Sequence, residues 1–165
     1  MVSLPGLVIH DAWAAEWTYM EQTRVQWQPY ETATFEAAQA ANRPVLVLVY
    51  ADWCAWCKKY ELETLEQPAI RRRLQREWVP VAVDYDRQPQ LAQQLGVRLV
   101  PTTLLLTPDA QKLQRFFGMV GPEALAANLD EVRGVWQRGD APEGDFGDEN
   151  TCCPLDDPSP ERGQP

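Results

Sequence analysis

Cys54 and Cys57 stand three positions apart in the stretch Trp53-Cys54-Ala55-Trp56-Cys57-Lys58, where an apolar run ends and a charged helical pattern begins. Two thiols at this spacing can hold a metal, staple the chain, or exchange electrons as a dithiol and disulfide pair. A static bond here would close a loop of two residues and constrain the unfolded chain very little. Zinc would need two further ligands. The other cysteines, Cys152 and Cys153, are adjacent, and neighbouring residues are poorly placed to take two corners of one tetrahedron. His10 is the single histidine, which leaves a cysteine-histidine protease or a histidine-based metal site almost nothing to build on. No metal and no organic cofactor is expected.

A working thiol pair has a direct physical rationale. A cysteine at a helix N-terminus faces unpaired backbone N–H groups and the positive end of the helix dipole, and both favour thiolate over thiol. A dipole contribution of ~0.3 to 2 kcal/mol lowers a free thiol pKa near 8.5 by at most about 1.5 units, toward neutrality. Attack is fastest when that pKa lies close to ambient pH. Cys54 holds this position and is the expected nucleophile. Cys57, one helical turn further in, is expected to be buried and protonated until it resolves a mixed disulfide. Trp53 and Trp56 flank Cys54 and are expected to form an apolar docking rim, with a core position open as an alternative for Trp53.

The elements around this pair can be read from pattern. Val45–Tyr50, an apolar and largely β-branched run without alternation, reads as a strand buried on both faces. A helix over 32–41 precedes it, opened by Thr32 and closed by Asn42 ahead of Pro44. After the cysteine helix, Ile70, Leu74 and Trp78 recur at helical spacing, with Arg71, Arg72 and Arg73 on a solvated face. A strand over 79–86 follows, with Asp84 and Asp86 as solubilising turn residues at its end. Next come a short helix ending at Gly96 and a hairpin over 102–118 turning at Pro108-Asp109. Leu125, Leu129, Val132 and Trp136 mark the apolar face of a last helix opened by Pro122.

Three zones result: an N-terminal extension (1–26), a domain (27–138), and a tail (139–165) rich in proline, glycine and acid. The tail composition predicts disorder, because too little apolar surface remains to offset ordering entropy. A net charge of -9 and a pI near 4.6 argue against nucleic-acid partners. No stretch approaches the roughly 20 apolar residues of a membrane span. The N-terminus has no basic region followed by an apolar core, so no signal peptide is read there. A cytoplasmic location is the expectation, or an extracytoplasmic one if an export segment precedes the sequence given.

The order helix, strand, helix, strand, helix, hairpin, helix, with Cys54 and Cys57 after the central strand and Val100-Pro101-Thr102 before the hairpin, resembles the thioredoxin fold. Within that superfamily "YADWCAWCKKYE" is most similar to the C-terminal thioredoxin-like domain of the bacterial transmembrane thiol-disulfide reductase and to related small proteins. The resemblance implies an α/β fold with a central mixed sheet flanked by helices. It also implies a cis Pro101 that, with Val100, lies against the reactive cysteine and presents backbone to substrate. The related domain carries an acid matching Glu61, which implies a proton acceptor for Cys57. Glu61 lies four residues after Cys57 on the same helical face, and an exposed partner for Lys58 is the alternative. Thioredoxins usually carry a buried aspartate where this chain has Leu48. Proton handling must then rely on Glu61, on water, or on neither.

The reading is a monomeric thiol-disulfide oxidoreductase that reduces protein disulfides and is recharged by an upstream thiol reductant. A thioredoxin-like binding or chaperone module is the alternative. Cys152-Cys153 lies outside the resemblance. Neighbouring Cα atoms about 3.8 Å apart fall below the roughly 4.4 to 6.8 Å of an unstrained disulfide, so a bond between these two would be easily reduced. The thirteen steps from Gly139 to Cys152 stretch to about 43 Å, enough to reach Cys54, so an electron relay is one reading of the pair, beside incidental tail thiols or a metal-binding patch.

Overall fold

Strand β2, Val45–Tyr50, is buried at every position. Its side chains alternate between two apolar clusters. Val45, Val47 and Val49 join Ala38, Val81, Ala92 and Leu104 on one side. Leu46, Leu48 and Tyr50 join Tyr60, Ile70, Leu74, Trp78 and Leu125 on the other. The unalternating sequence of β2 thus reflects helices on both faces of the sheet.

The computed structural model describes residues 20–140. In chain order the elements are β1 (Gln28–Pro29), α1 (Thr32–Ala40), β2, α2 (Ala55–Tyr60) continued by a π-helical turn (Glu61–Leu65), and α3 (Pro68–Arg76). They continue with β3 (Val79–Asp84), α4 (Pro89–Gln94), β4 (Thr102–Leu106), β5 (Lys112–Phe117) and α5 (Pro122–Gln137). The sheet order is β1-β3-β2-β4-β5, parallel among β1, β3 and β2 and antiparallel from β2 through β4 to β5. This is the thioredoxin fold. Helices α1 and α4 cover the valine face of β2; α2, α3 and α5 cover the leucine face.

Local chemistry explains most boundaries. Asn42 takes a left-handed φ of 49° just after α1, ahead of Pro44. α1 opens at Thr32 as the sequence suggests, with Glu31 as its N-cap residue providing no side-chain bond. α5 starts with Pro122 in its first turn behind Gly121. Helix α3 stops at Arg76, and carbonyls of its last turn are satisfied from outside: the Arg43 guanidinium donates to those of Leu74 and Gln75, and to that of Trp78 just beyond the helix. The arginine run is only partly a solvated face, since Arg71 pairs with Glu66 and Arg73 with Asp130. Upstream of β1, Met20 and Val25 are buried in the leucine-side core. The cysteine pair 152–153, the tail that carries it and His10 lie outside the described residues.

Leu46 is fully buried at the centre of the sheet. Leu46→Ala is expected to lower the unfolding free energy by about 2 to 5 kcal/mol, read from urea denaturation. A loss under about 1 kcal/mol would mean that the core around β2 collapses to fill the space.

Candidate active site

β2 ends at Tyr50, and the chain turns through Ala51–Trp53 to deliver Cys54 as the N-cap of α2. The Cys54 N–H donates to the Ala51 carbonyl at 3.0 Å, fixing the turn. The Cys54 backbone is extended (φ −78°, ψ 100°), which aims its sulfur back across the first helical turn. There the Cys57 N–H donates to Cys54 Sγ at 3.1 Å. The same N–H is shared with the Cys54 carbonyl at 3.1 Å, and it lies where it stabilises charge on that sulfur once the disulfide is reduced. Cys54 and Cys57 are joined as a disulfide with Cα atoms 5.2 Å apart, and both are buried. Cys57 is buried as expected; in this oxidised state it carries no proton.

The Val100–Pro101 peptide bond is cis. The Val100 carbonyl oxygen lies 3.7 Å from Cys54 Sγ, so the loop before β4 and the start of α2 meet at the reactive sulfur. The loop is pinned from two sides. The Thr102 hydroxyl donates to the Leu99 carbonyl at 2.7 Å, and the Gly118 N–H donates to the Pro101 carbonyl at 2.8 Å. Gly118 makes that bond with a φ of 72°, a conformation suited to glycine.

Around this junction the surface is apolar. Trp53 is 68% exposed and Trp56 62%, which removes a core position for Trp53 and leaves both rings on the rim. Leu99, beside Val100, and Phe117, paired with Thr102, are also exposed. Trp53 is held: its indole N–H donates to Asp86 Oδ2 at 2.7 Å. Asp84 builds the turn that presents Asp86, accepting the N–H groups of Asp86 and Arg87 at 2.9 and 3.0 Å. The two aspartates expected only to solubilise a turn therefore orient a rim tryptophan. No sequence signal joins Trp53 to Asp86, 33 residues away.

Glu61 is 1% exposed, so it is not a surface partner for Lys58. It opens the π-helical turn one turn beyond Cys57, and its N–H donates to the Cys57 carbonyl. Oε1 accepts the Trp27 indole N–H at 3.2 Å; buried Oε2 has no partner among the described residues. Burial pushes its pKa from the ordinary 4.5 up to about 7, the hydrogen bond from Trp27 pulls it down, and the charge of Glu66 adds to the rise. Leu48 packs in the same core cluster as both cysteines. Asp84, the other buried acid among the described residues, has Oδ1 occupied by main-chain N–H groups. Glu61 is thus the one buried acid on the cysteine helix. Among the described residues no group of three His, Cys, Asp or Glu side chains forms a metal-ligand set, and no helix is long and apolar enough to cross a membrane.

The profile of the thioredoxin-like domain family matches residues 32–133. The chain is 34% identical to a thioredoxin of Mycobacterium bovis over 93 residues, covering 56% of this chain and 77% of that one. It is 31% identical to the bifunctional thioredoxin reductase/thioredoxin of Mycobacterium leprae over 73% of its own length, but spans only 25% of that protein. It is 33% identical to the thiol:disulfide interchange protein DsbD of Klebsiella pneumoniae over 61% of its length, spanning 17% of that protein. Among solved structures, a thioredoxin from Thermus thermophilus superposes with a TM-score of 0.57 at 29% identity, over 70% of this chain and 89% of that one. The DsbD C-terminal domain of Neisseria meningitidis shares the fold, with a TM-score of 0.52 at 22% identity, over 60% and 89% of the two chains.

The raised proton affinity of Glu61 has a thermodynamic consequence. The folded protein binds a proton that the unfolded chain releases near pH 4.5, so this contribution is fully present below that pH and is lost as pH rises through about 7. For the oxidised protein, unfolding free energy is expected to fall by roughly 3 kcal/mol from this group between about pH 4.5 and about pH 7.5. Glu61→Gln, which stays neutral, should flatten that fall. Parallel stability–pH curves for the two proteins in urea would refute the assignment.

Proposed function

The chain belongs to the thioredoxin-like family of thiol-disulfide oxidoreductases, and from that premise we propose that it reduces protein disulfides with Cys54 as nucleophile and Cys57 as resolving thiol. The observation that carries this is the position of Cys54 Sγ. It accepts the Cys57 N–H at a helix start and lies 3.7 Å from the Val100 carbonyl, beneath exposed tryptophans. A sulfur so placed has a stabilised thiolate and a neighbouring backbone edge on which an extended substrate segment can align.

In the reduced protein, Cys54 thiolate attacks one sulfur of a substrate disulfide. The substrate S–S bond breaks, its second sulfur leaves as thiolate and takes up a proton, and a mixed disulfide with Cys54 remains. Cys57 passes its proton to Glu61 and attacks Cys54 Sγ. The substrate departs as a dithiol and the Cys54–Cys57 disulfide remains, two electrons having moved to the substrate. That disulfide is the state described above. A dithiol reductant of the same chemical class returns it to the reduced form and completes the cycle. Every group in the cycle comes from one chain, which supports function as a monomer.

The exposed Trp53 and Trp56 favour a second reading, in which the rim holds partner proteins and the dithiol is subordinate. Turnover distinguishes the two. Cys54→Ser is expected to abolish dithiothreitol-driven reduction of a protein disulfide such as that of insulin. Cys57→Ser should stall the protein as a covalent adduct visible on a non-reducing gel. The Cys54–Cys57 couple is expected near ~-270 mV in thiol redox buffers. Retained turnover in Cys54→Ser, or a couple near ~-120 mV, would remove the reductase reading.

A further inference from the structure

The chain segment leading into the domain is fastened to both ends of the π-helical turn. At the far end, the Glu66 carboxylate accepts the main-chain N–H groups of Arg24 and Val25, the latter at 3.2 Å, while Arg71 of α3 lies 3.6 Å from its other oxygen. Met20 and Val25 are buried in the core cluster that holds Cys57, so the segment is anchored by packing as well. Trp27 N–H donates to the Val25 carbonyl at 3.0 Å, which sets the backbone from which the indole reaches Glu61 Oε1 at the near end. An indole N–H can only donate. It therefore occupies one carboxylate oxygen and cannot itself take up a proton.

We propose that Trp27 is a positioning residue for proton transfer in this site: by donating to Oε1 it orients the Glu61 carboxylate and reserves the buried Oε2 for the proton exchanged with Cys57. The proposal rests on the reading of Glu61 as the proton acceptor of Cys57. Three observations support it: Glu61 stacks one turn beyond Cys57, Oε2 is buried without a partner among the described residues, and the turn is bulged into π geometry at Glu61. Such bulges recur at functional sites because they re-aim a side chain within a helix. In the step itself, Cys57 S–H loses its proton to Oε2 as Cys57 sulfur forms its bond to Cys54 Sγ and the substrate thiolate leaves. The reverse transfer occurs when the disulfide is reduced.

Other charges around Glu61 are few. Tyr60 and Glu66 flank it on its own segment, and the Tyr60 hydroxyl lies 3.3 Å from that of Thr103. Arg71 of α3 engages Glu66, while α5 contributes Leu125, Leu129 and Val132 to the adjoining core. The incoming segment adds the indole, while its Thr23 hydroxyl donates to the Met20 and Val25 carbonyls. Lys58 and Lys59 of α2 are exposed.

The test is the pH dependence of mixed-disulfide resolution by Cys57, followed in stopped flow for the full chain and for Trp27→Phe, Glu61→Gln and the double variant. Phenylalanine keeps an aromatic ring and removes the donor. Its acid limb is expected to move upward by about one pH unit, the loss of one hydrogen bond to a charged group. Glu61→Gln should lose that limb, and adding Trp27→Phe to it should change nothing further. If Glu61→Gln alters the profile while Trp27→Phe leaves it in place, the proposal is overturned and the role of Glu61 stands. If Glu61→Gln leaves the profile unchanged, both fall. A second measurement needs no Trp27 variant: the Trp27 indole N–H resonance of the oxidised wild-type protein should titrate with a midpoint near pH 7, and lose that titration in Glu61→Gln. An indole resonance flat from about pH 5 to about pH 9 overturns the proposal.

Discussion

Strand β2 has no face to give to water, and that constraint organises everything at the site. Because Val45, Val47 and Val49 need cover on one side and Leu46, Leu48 and Tyr50 on the other, helices must lie on both faces of the sheet. The chain leaving β2 enters a helix beginning with Cys54, placing that sulfur at the C-terminal edge of a rigid central strand. β4, antiparallel to β2 on its other side, begins at the same edge, with Thr102 opposite Val49. The Val100 carbonyl meets Cys54 Sγ for that reason. Two segments nearly half a domain apart in sequence are brought together by strand register.

The same burial dictates where an acid can be held. A carboxylate on β2 itself would sit inside an apolar cluster; Leu48 occupies that position here and packs with both cysteines. The acid comes instead from the cysteine helix. Glu61 is as inaccessible as Leu48 would make an aspartate, but it arrives where the helix widens into a π turn and where Trp27 supplies a donor. Desolvation favours its neutral form and the indole hydrogen bond favours its charged form. The balance leaves a group that changes protonation near neutral pH, where a thiol exchange partner has to work.

Most of this architecture is legible in the sequence because it is written in local pattern. The unbroken apolar run gives β2, helical spacing at Ile70 and Leu74 gives α3, and Pro122 gives the start of α5. The cysteine spacing gives the reactive pair. Three kinds of feature escape such reading. β1 is two residues long and exists only through parallel pairing with β3, a long-range contact without a local signature. The π turn follows a sequence that also suits an α-helix, so its residues carry no sign of it. Contacts made across the fold, such as Trp27 with Glu61 and Trp53 with Asp86, join residues more than thirty positions apart. Those contacts adjust the proton affinity of the acid and hold a rim ring, so such detail is the least visible part of the sequence.

Two opposed electrostatic effects act on the thiol pair, and their geometry suggests how its redox chemistry is set. The N–H of Cys57 donates to Cys54 sulfur, and such a bond strengthens when the sulfur becomes a thiolate. This favours the reduced, ionised form and makes the disulfide a better oxidant. A negative charge on Glu61, one turn from Cys57, would disfavour thiolate formation on that side in the reduced protein. In the proposed cycle the carboxylate becomes neutral on accepting the Cys57 proton, and its repulsion of the sulfur would then disappear at the moment that sulfur must attack. On that reading, a buried acid with a proton affinity near neutrality would do more than receive a proton. It would remove an unfavourable charge in the same step, which a permanently charged or permanently neutral side chain at position 61 could not do.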